Sequence, residues 1–322
     1  MHIAILAFLA PSLIRLANAQ NQKRGIAYLG DTHKPDNNLL LRDGSPLSWY
    51  YNWSPYPATQ QIPATELEFT PLIHGLDEAQ DPHTKTAIND LPTSSQRLLT
   101  FNEPDGTTDS GGSSISPEDA AKAYIEHIAP YRSGNSRNWN ISHPSVTGSP
   151  RGLEWLREFN TSCYEIDEKN GCPTDFIAAH WYGAFDGLKG WLSSLDDFYN
   201  GNRSDSKPNL KIWVTEMALP QQGTDATVAM ANETLPYLDG LDYVERYAWF
   251  GAFRANDANE WTGGSVALFG DDGELTKIGA LYLNGKEGEK GQGEDSGARG
   301  LRPSCEVMVA IVVGAIMLVD WV

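Results

Sequence analysis

Arg97-Leu98-Leu99-Thr100-Phe101-Asn102-Glu103-Pro104-Asp105 is a short apolar run that ends abruptly in a carboxyl and a proline. Runs of this kind, bounded by turn residues, read as buried strands, and the proline stops the strand so that Glu103 stands just past its C-terminal end. Working outward, the chain repeats the pattern. Eight such segments follow one another: Arg24 to Leu29, Pro46 to Trp53, Glu68 to His74, Arg97 to Asn102, Asn140 to Thr147, Asp175 to Tyr182, Leu210 to Glu216 and Val244 to Phe250. The stretches between them are long enough for helices, which is the signature of a βα-repeating α/β fold.

The clearest helix is Pro117 to Tyr131, with Ser116 as N-cap and a proline at the first helical position. Gly152 to Phe159 and Gly187 to Tyr199 follow by apolar spacing of three and four. Asp31 to Asp43 and Leu76 to Leu91 fill the right places without defined boundaries. Eight strands alternating with helices fit a closed barrel or an open doubly wound sheet. No glycine-rich phosphate turn follows the first strand, so the nucleotide-binding open sheet loses its support. The expectation is a single (β/α)8 TIM barrel.

Of the 322 residues, both ends read as removable. Ile3 to Ala10 is apolar and Ala17-Asn18-Ala19 is a small-x-small cleavage pattern, so 1–19 reads as a signal peptide with Gln20 first in the mature chain. Val307 to Val319 is apolar and uncharged but shorter than the roughly 20 residues that span a bilayer. Ser296-Gly297-Ala298 and the polar spacer Arg299 to Glu306 precede it, the layout of a glycosylphosphatidylinositol signal with attachment at Ser296. The folded domain is then 20–284, near the ~250 residues of one barrel. The glycine- and charge-rich 285–302 reads as a flexible linker, and 303–322 as the anchor signal. Membrane contact is expected only through the lipid, with the protein exported and held at the cell surface or wall.

A formal net charge of −18 argues against nucleic acid, which is bound by clustered Lys and Arg that release counterions. An uncharged partner and a monomeric state are expected. Cys163 and Cys172 flank a polar loop and are expected to form a disulfide in an oxidising compartment, while Cys305 leaves with the tail. Sequons at Asn140, Asn160, Asn202 and Asn232 are candidates for glycosylation. Asn52 starts a fifth, inside an aromatic strand end expected to face the substrate.

In a barrel, functional groups gather at the C-terminal ends of strands. Glu103 ends strand four and Glu216 ends strand seven in Thr215-Glu216. Glycosidic hydrolysis needs one carboxyl to protonate the leaving oxygen and a second to meet the oxocarbenium-like carbon, and these two would point across one cleft. Carboxyls that close raise one another's pKa, so only one ionises readily; Glu103 is expected to keep the proton. His180 and Tyr182 are two apart on strand six and point the same way, with Tyr182 placed to hydrogen-bond Glu216. Trp49, Tyr50, Trp53, Trp181, Trp249 and Trp261 form a pool of sugar platforms, since the axial face of a glucose ring suits an aromatic face. Trp249 and Trp181 lead, and alternation keeps Trp49 and Tyr50 from both pointing inward.

Asn102-Glu103-Pro104 and Thr215-Glu216 look like the motifs of retaining barrel glycosidases. That resemblance implies Glu103 as acid/base, Glu216 as nucleophile and Asn102 as a partner of the sugar 2-hydroxyl. Lys23-Arg24-Gly25, Ser48-Trp49-Tyr50-Tyr51-Asn52-Trp53, His180-Trp181-Tyr182-Gly183 and Arg246-Tyr247-Ala248-Trp249-Phe250 narrow it further. From about Lys23 to Leu283 the chain resembles glycoside hydrolase family 128, which implies an endo-acting β-1,3-glucanase with a β-glucan partner. A glucan transglycosylase and a non-catalytic glucan-binding surface protein are the competing readings. No cofactor and no metal are expected, because the chemistry needs only carboxyls and water.

Overall fold

The computed structural model describes residues 23–30, 33–133, 137–201 and 208–291. The expected signal peptide, Asn202, Ser296 and the expected anchor signal lie outside the described residues. Among the described residues nine strands form one wholly parallel sheet: β1 Arg24–Ala27, β2 Trp49–Tyr51, β3 Glu68–Phe69, β4 Leu72–Ile73, β5 Arg97–Asn102, β6 Asn140–Ser145, β7 Phe176–Tyr182, β8 Lys211–Ala218 and β9 Val244–Trp249. Their order is β3-β2-β1-β9-β8-β7-β6-β5-β4. The first and last members of that order are separated in sequence only by Thr70-Pro71, so the sheet curls back on itself.

The eight expected strands become nine because the third is broken there. Proline has no N–H to continue a ladder. Thr70 N donates to Tyr50 O at 2.9 Å on the β2 side, whereas Pro71 O accepts from Leu99 N at 2.9 Å on the β5 side. The chain changes partners across one peptide.

Helices α1 Lys34–Leu40, α2 Leu76–Gln80, α3 Pro82–Asp90, α4 Pro117–Ala123, α5 Pro150–Ile166, α6 Phe185–Asn200, α7 Thr224–Gly240 and α8 Lys277–Tyr282 fall between and after the strands. Ser116 and Ser149 each accept a backbone N–H at an N-cap, satisfying a donor the helix itself cannot. The helix expected to run to Tyr131 stops being α-helical after Ala123 and continues as a π turn and a 3-10 turn. Helix α7 lacks the usual markers, since Gly223 precedes it without a side-chain cap and Pro236 lies inside it. Among the described residues no helix is long and apolar enough to cross a membrane.

Ring contacts between strands that are not neighbours must cross the interior of the curl. Trp49 on β2 and Trp213 on β8 lie 5.1 Å apart, Phe176 on β7 packs on Trp213 at 4.6 Å, and Arg246 on β9 stands 4.5 Å over Trp213 and 5.6 Å over Trp49. Glu68 pairs with Arg246 at 2.5 Å and Trp213 Nε1 donates to Glu245 at 2.7 Å. This aromatic layer fills the end of the curl nearest the strand N-termini, and Gly25 leaves the space that the Trp49 ring occupies. The second layer lies between sheet and helices, where His143, Tyr124, Phe159 and Tyr199 pack together.

Cys163 and Cys172 form the expected disulfide, closing the turn after α5. Residues 285–291, expected to begin a flexible linker, are instead fastened: Gly288 N donates to Leu275 O, Leu275 N donates to Glu289 O, and Lys290 bridges Glu274. Backbone pairing needs no apolar side chain, which is why composition misled there. Across the ring, Arg254 forms two hydrogen bonds to Asp36 at 2.8 and 2.9 Å with both side chains buried, tying the loop after β9 to α1. Removing one partner of a buried pair strands the other, so Asp36→Ala should cost about 3–5 kcal/mol. Thermal unfolding checks it, and a change near zero would show that the pair does not hold this edge.

Candidate active site

Glu103 and Glu216 meet inside the curl because two strands depart from regular alternation. Trp213 faces inward, so a regular β8 would turn Thr215 inward and Glu216 away. Instead Ala179 pairs with Val214 while His180 pairs with Glu216, leaving Thr215 as an extra residue, and β9 records the same skip between Val214 and Met217. This bulge reverses the parity and swings Glu216 into the interior. Thr215 is buried, its hydroxyl donating to Ala179 O at 3.3 Å.

On β5 the backbone itself is bent, with φ of 31° at Phe101 and 38° at Glu103. Left-handed backbone at a residue with a Cβ is strained, on the order of 1–3 kcal/mol, and the surroundings must hold it. Glu103 N donates to Ser145 O at 2.7 Å, and Glu103 O accepts from Gly106 N at 2.8 Å. Asp105, next along the turn, is buried and accepts Thr147 N at 2.9 Å as well as the Thr147 hydroxyl. The turn carrying Glu103 is thereby fastened to the end of β6.

Glu216 accepts three hydrogen bonds. Tyr51 and Trp53 donate to Oε1 at 2.9 and 2.8 Å, and Tyr182 donates to Oε2 at 2.5 Å. His180 lies between the two carboxyls, with Nδ1 3.0 Å from Glu103 Oε1 and Nε2 3.4 Å from Glu216 Oε1. Ligand atoms of Glu103, His180 and Glu216 all lie within 4.8 Å of one another. That spacing is one a divalent cation can bridge, but the Trp53 N–H is donor-only and aims at a carboxylate oxygen, so the surroundings of Glu216 suit an anion.

Burial pushes the Glu103 carboxyl above its ordinary range; the His180 hydrogen bond and charge pull it down, and Glu216 adds to the rise. For His180 burial acts downward, but the charges of Glu216 and Glu103 outweigh it and the net direction is upward. Tyr51 and Tyr182 are pushed well up, by burial first and then by the Glu216 charge, so both stay protonated and remain donors.

The structure thus brings together Glu103, Glu216, His180 and Tyr182 from the sequence-based set. Asn102 is 4 % exposed, its amide nitrogen donating to Gly111 O at 3.0 Å, beside His74 at 3.2 Å from the same oxygen. Trp49, Tyr50 and Trp249 have no face for a sugar, since each is at most 1 % exposed. Trp49 belongs to the aromatic layer, the Tyr50 hydroxyl accepts from Ala58 N, and Trp249 Nε1 donates to Val266 O. Trp181 is half-buried on the helix side, its ring lying where a Cβ at Gly187 would be. Trp261 is the exposed member of the pool, at 58 %. Tyr51 and Trp53 were missed as partners of Glu216. Their signal is the alternation Trp49, Tyr51, Trp53, a ladder of rings 6.1 and 5.0 Å apart on one face. Asn140 is half-buried at the start of β6, and Asn160 and Asn232 are exposed on α5 and α7.

Comparison with known proteins gives the following. A family model described as glycosyl hydrolase catalytic core matches residues 25–282. Alkali-sensitive linkage protein 1 of Schizosaccharomyces pombe is 27% identical over 269 residues, covering 81% of this chain and 44% of that protein, so the chain spans less than half its length. A curdlan-specific exo-β-1,3-glucanase of glycoside hydrolase family 128, subgroup III, from Blastomyces gilchristii is 30% identical with a TM-score of 0.61, covering 83% of this chain and 99% of that one. An endo-β-1,3-glucanase of subgroup IV from Lentinula edodes is 26% identical with a TM-score of 0.63, covering 81% and 99%.

A third carboxyl is displaced without belonging to the pair. Glu78 on α2 accepts His74 N at 2.5 Å, and burial raises its pKa from 4.5 to about 7. A raised carboxyl favours the folded state while protonated, so its contribution is complete below 4.5 and is lost as pH climbs through about 7. Glu78→Gln, which keeps an acceptor oxygen and cannot ionise, should stabilise the protein at pH 8 by about 2–3 kcal/mol and leave it unchanged at pH 4. Chemical denaturation at the two pH values tests the difference, and equal effects would refute the raised carboxyl.

Proposed function

Because the chain belongs to the glycosyl hydrolase catalytic core family, and within it to glycoside hydrolase family 128, we propose that it hydrolyses β-1,3-glucan with retention of configuration, through Glu103 as acid/base and Glu216 as nucleophile. The observation that carries this reading is a carboxylate held by three donors with a second carboxyl no more than 4.8 Å away. Retaining enzymes keep their carboxyls ~5–5.5 Å apart, whereas inverting ones leave ~6.5–9.5 Å for a water. The glucan is supported by the two relatives whose own substrate is β-1,3-glucan.

In the first step Glu103 gives its proton to the glycosidic oxygen as that oxygen leaves the anomeric carbon, and a Glu216 oxygen bonds to the same carbon. Oε2, with one donor against two on Oε1, is the freer to attack. In the second step Glu103, now a carboxylate, takes a proton from water whose oxygen displaces Glu216. Two inversions restore the starting anomer. The donors keep Glu216 aimed and ionised before the first step, and they weaken their hold as its charge is spent.

The same reading takes β3 and β4 as halves of one stave, making a single (β/α)8 barrel whose mouth holds the pair. It places the enzyme outside the cell, tethered by lipid. The residue pattern of 1–19, the layout of 296–319 and the disulfide Cys163–Cys172 support that placement. Internal cleavage is the expected mode, with water as acceptor.

Glu103→Gln and Glu216→Gln should each lower kcat on laminari-oligosaccharides by roughly 1000-fold or more with the fold retained by circular dichroism; full activity in either sinks the assignment. Tyr182→Phe should lose roughly 10- to 100-fold in kcat with KM little changed, and an unaltered kcat would remove Tyr182 from the machinery. Early products of a defined β-1,3-oligosaccharide should be a ladder of shorter β-anomers. Glucose alone would mark terminal attack, longer chains transfer, and intact substrate a binding protein.

A further inference from the structure

His180 is fully buried, and its ring stands between the two carboxyls, 3.0 Å from Glu103 on the Nδ1 side and 3.4 Å from Glu216 on the Nε2 side. Among the described residues Nε2 has no hydrogen-bond partner despite that ion-pair distance. The groups facing the ring are Glu103 and Asp105 at the end of β5 and Glu216 on β8, with Tyr51 and Tyr182 reaching it through Glu216. Arg151, an exposed cation, stands 3.6 Å from Asp105 Oδ2. The groups whose charge acts on the ring are thus carboxyls, with phenols behind them.

Two arrangements of the same protons fit this geometry. In one, both ring nitrogens carry hydrogen and both glutamates are ionised. In the other, the Nδ1–H bond has broken, its electron pair has returned to Nδ1, and the proton has bonded to Glu103 Oε1, leaving Nε2–H toward Glu216. Each carries a net charge of −1. Resting on the hydrolase reading above, we propose that His180 is a positioning residue that stores the catalytic proton, sharing it with Glu103 along their hydrogen bond. After Glu103 passes the proton to the leaving oxygen, the neutral ring remains with its Nε2–H directed at Glu216. When water restores the proton to Glu103, the shared state is regenerated.

The sign of the consequence is fixed. A proton that has two sites to occupy is bound more tightly than by either site alone, so His180 extends activity toward higher pH. His180→Asn keeps an amide beside Glu103 but removes the second site. On a laminari-oligosaccharide, the basic limb of kcat/KM against pH should move to lower pH by about one unit. On 2,4-dinitrophenyl β-laminaribioside, whose leaving group needs no proton, the variant's glycosylation step should show no such shift of a basic limb relative to wild type.

An unmoved basic limb in a folded, active variant overturns the proposal, whereas a wild type that cleaves no glucan overturns the hydrolase reading instead. Should the variant fail to fold, imidazole nitrogen resonances of 15N-histidine-labelled wild type decide. Nε2 should stay protonated while Nδ1 moves between its imidazole and imidazolium positions across the pH range of the basic limb. A bare Nε2 throughout that range overturns the proposal.

Discussion

A carboxyl inside a protein is tolerable only if donors replace the water it gave up, and Glu216 imposes that condition on everything around it. Its donors come from β2 or just beyond it, through Tyr51 and Trp53, and from β7, through Tyr182. In the sheet order two other strands separate β2 from β8. A flat sheet could not deliver the three donors to one pair of oxygens. Closure of the curl, the burial of Tyr51 and the protonation of both phenols are therefore parts of one requirement. Hydrogen bonds to a charged group are each worth about 1.5–3 kcal/mol, so three of them replace much of what water gave the carboxyl.

The same requirement explains why irregular backbone gathers at one end of the sheet. The bulge at Thr215 and the left-handed residues Phe101, Glu103 and Trp53 all lie just before or just past strand C-termini. Regular strands would be more stable and would point the carboxyls elsewhere. Strain of this kind survives only where the surrounding structure over-determines it, and the lower part of the sheet supplies that rigidity through the Trp49, Trp213 and Arg246 layer.

Much of this was legible in the residues. The ordinal positions of the strands, the ends that carry Glu103 and Glu216, and the pairing of His180 with Tyr182 all follow from run length and alternation. What was not legible has physical reasons. The broken third strand depends on one missing N–H at Pro71, which a propensity reading absorbs into a longer run. The bulge at Thr215 is a matter of register, invisible until β7 and β9 are in place. The aromatic residues were the weakest guide, because Trp49 and Trp249 carry the same chemistry whether they face a sugar or the core. Tyr51 went unnoticed for the opposite reason: the role of its hydroxyl exists only once a carboxylate from a strand far away in sequence arrives beside it.

The aromatic layer has one more consequence. With Trp49, Trp213 and Phe176 packed across the lower end, the curl is a cup and not a tunnel. A long chain cannot be threaded through it from end to end, and Glu103 and Glu216 are reached from the open end alone. Traffic is then single-file in time as well as in space. Whatever enters by the mouth must leave by it too, so one species has to make room beside Glu103, His180 and Glu216 before another can take its place.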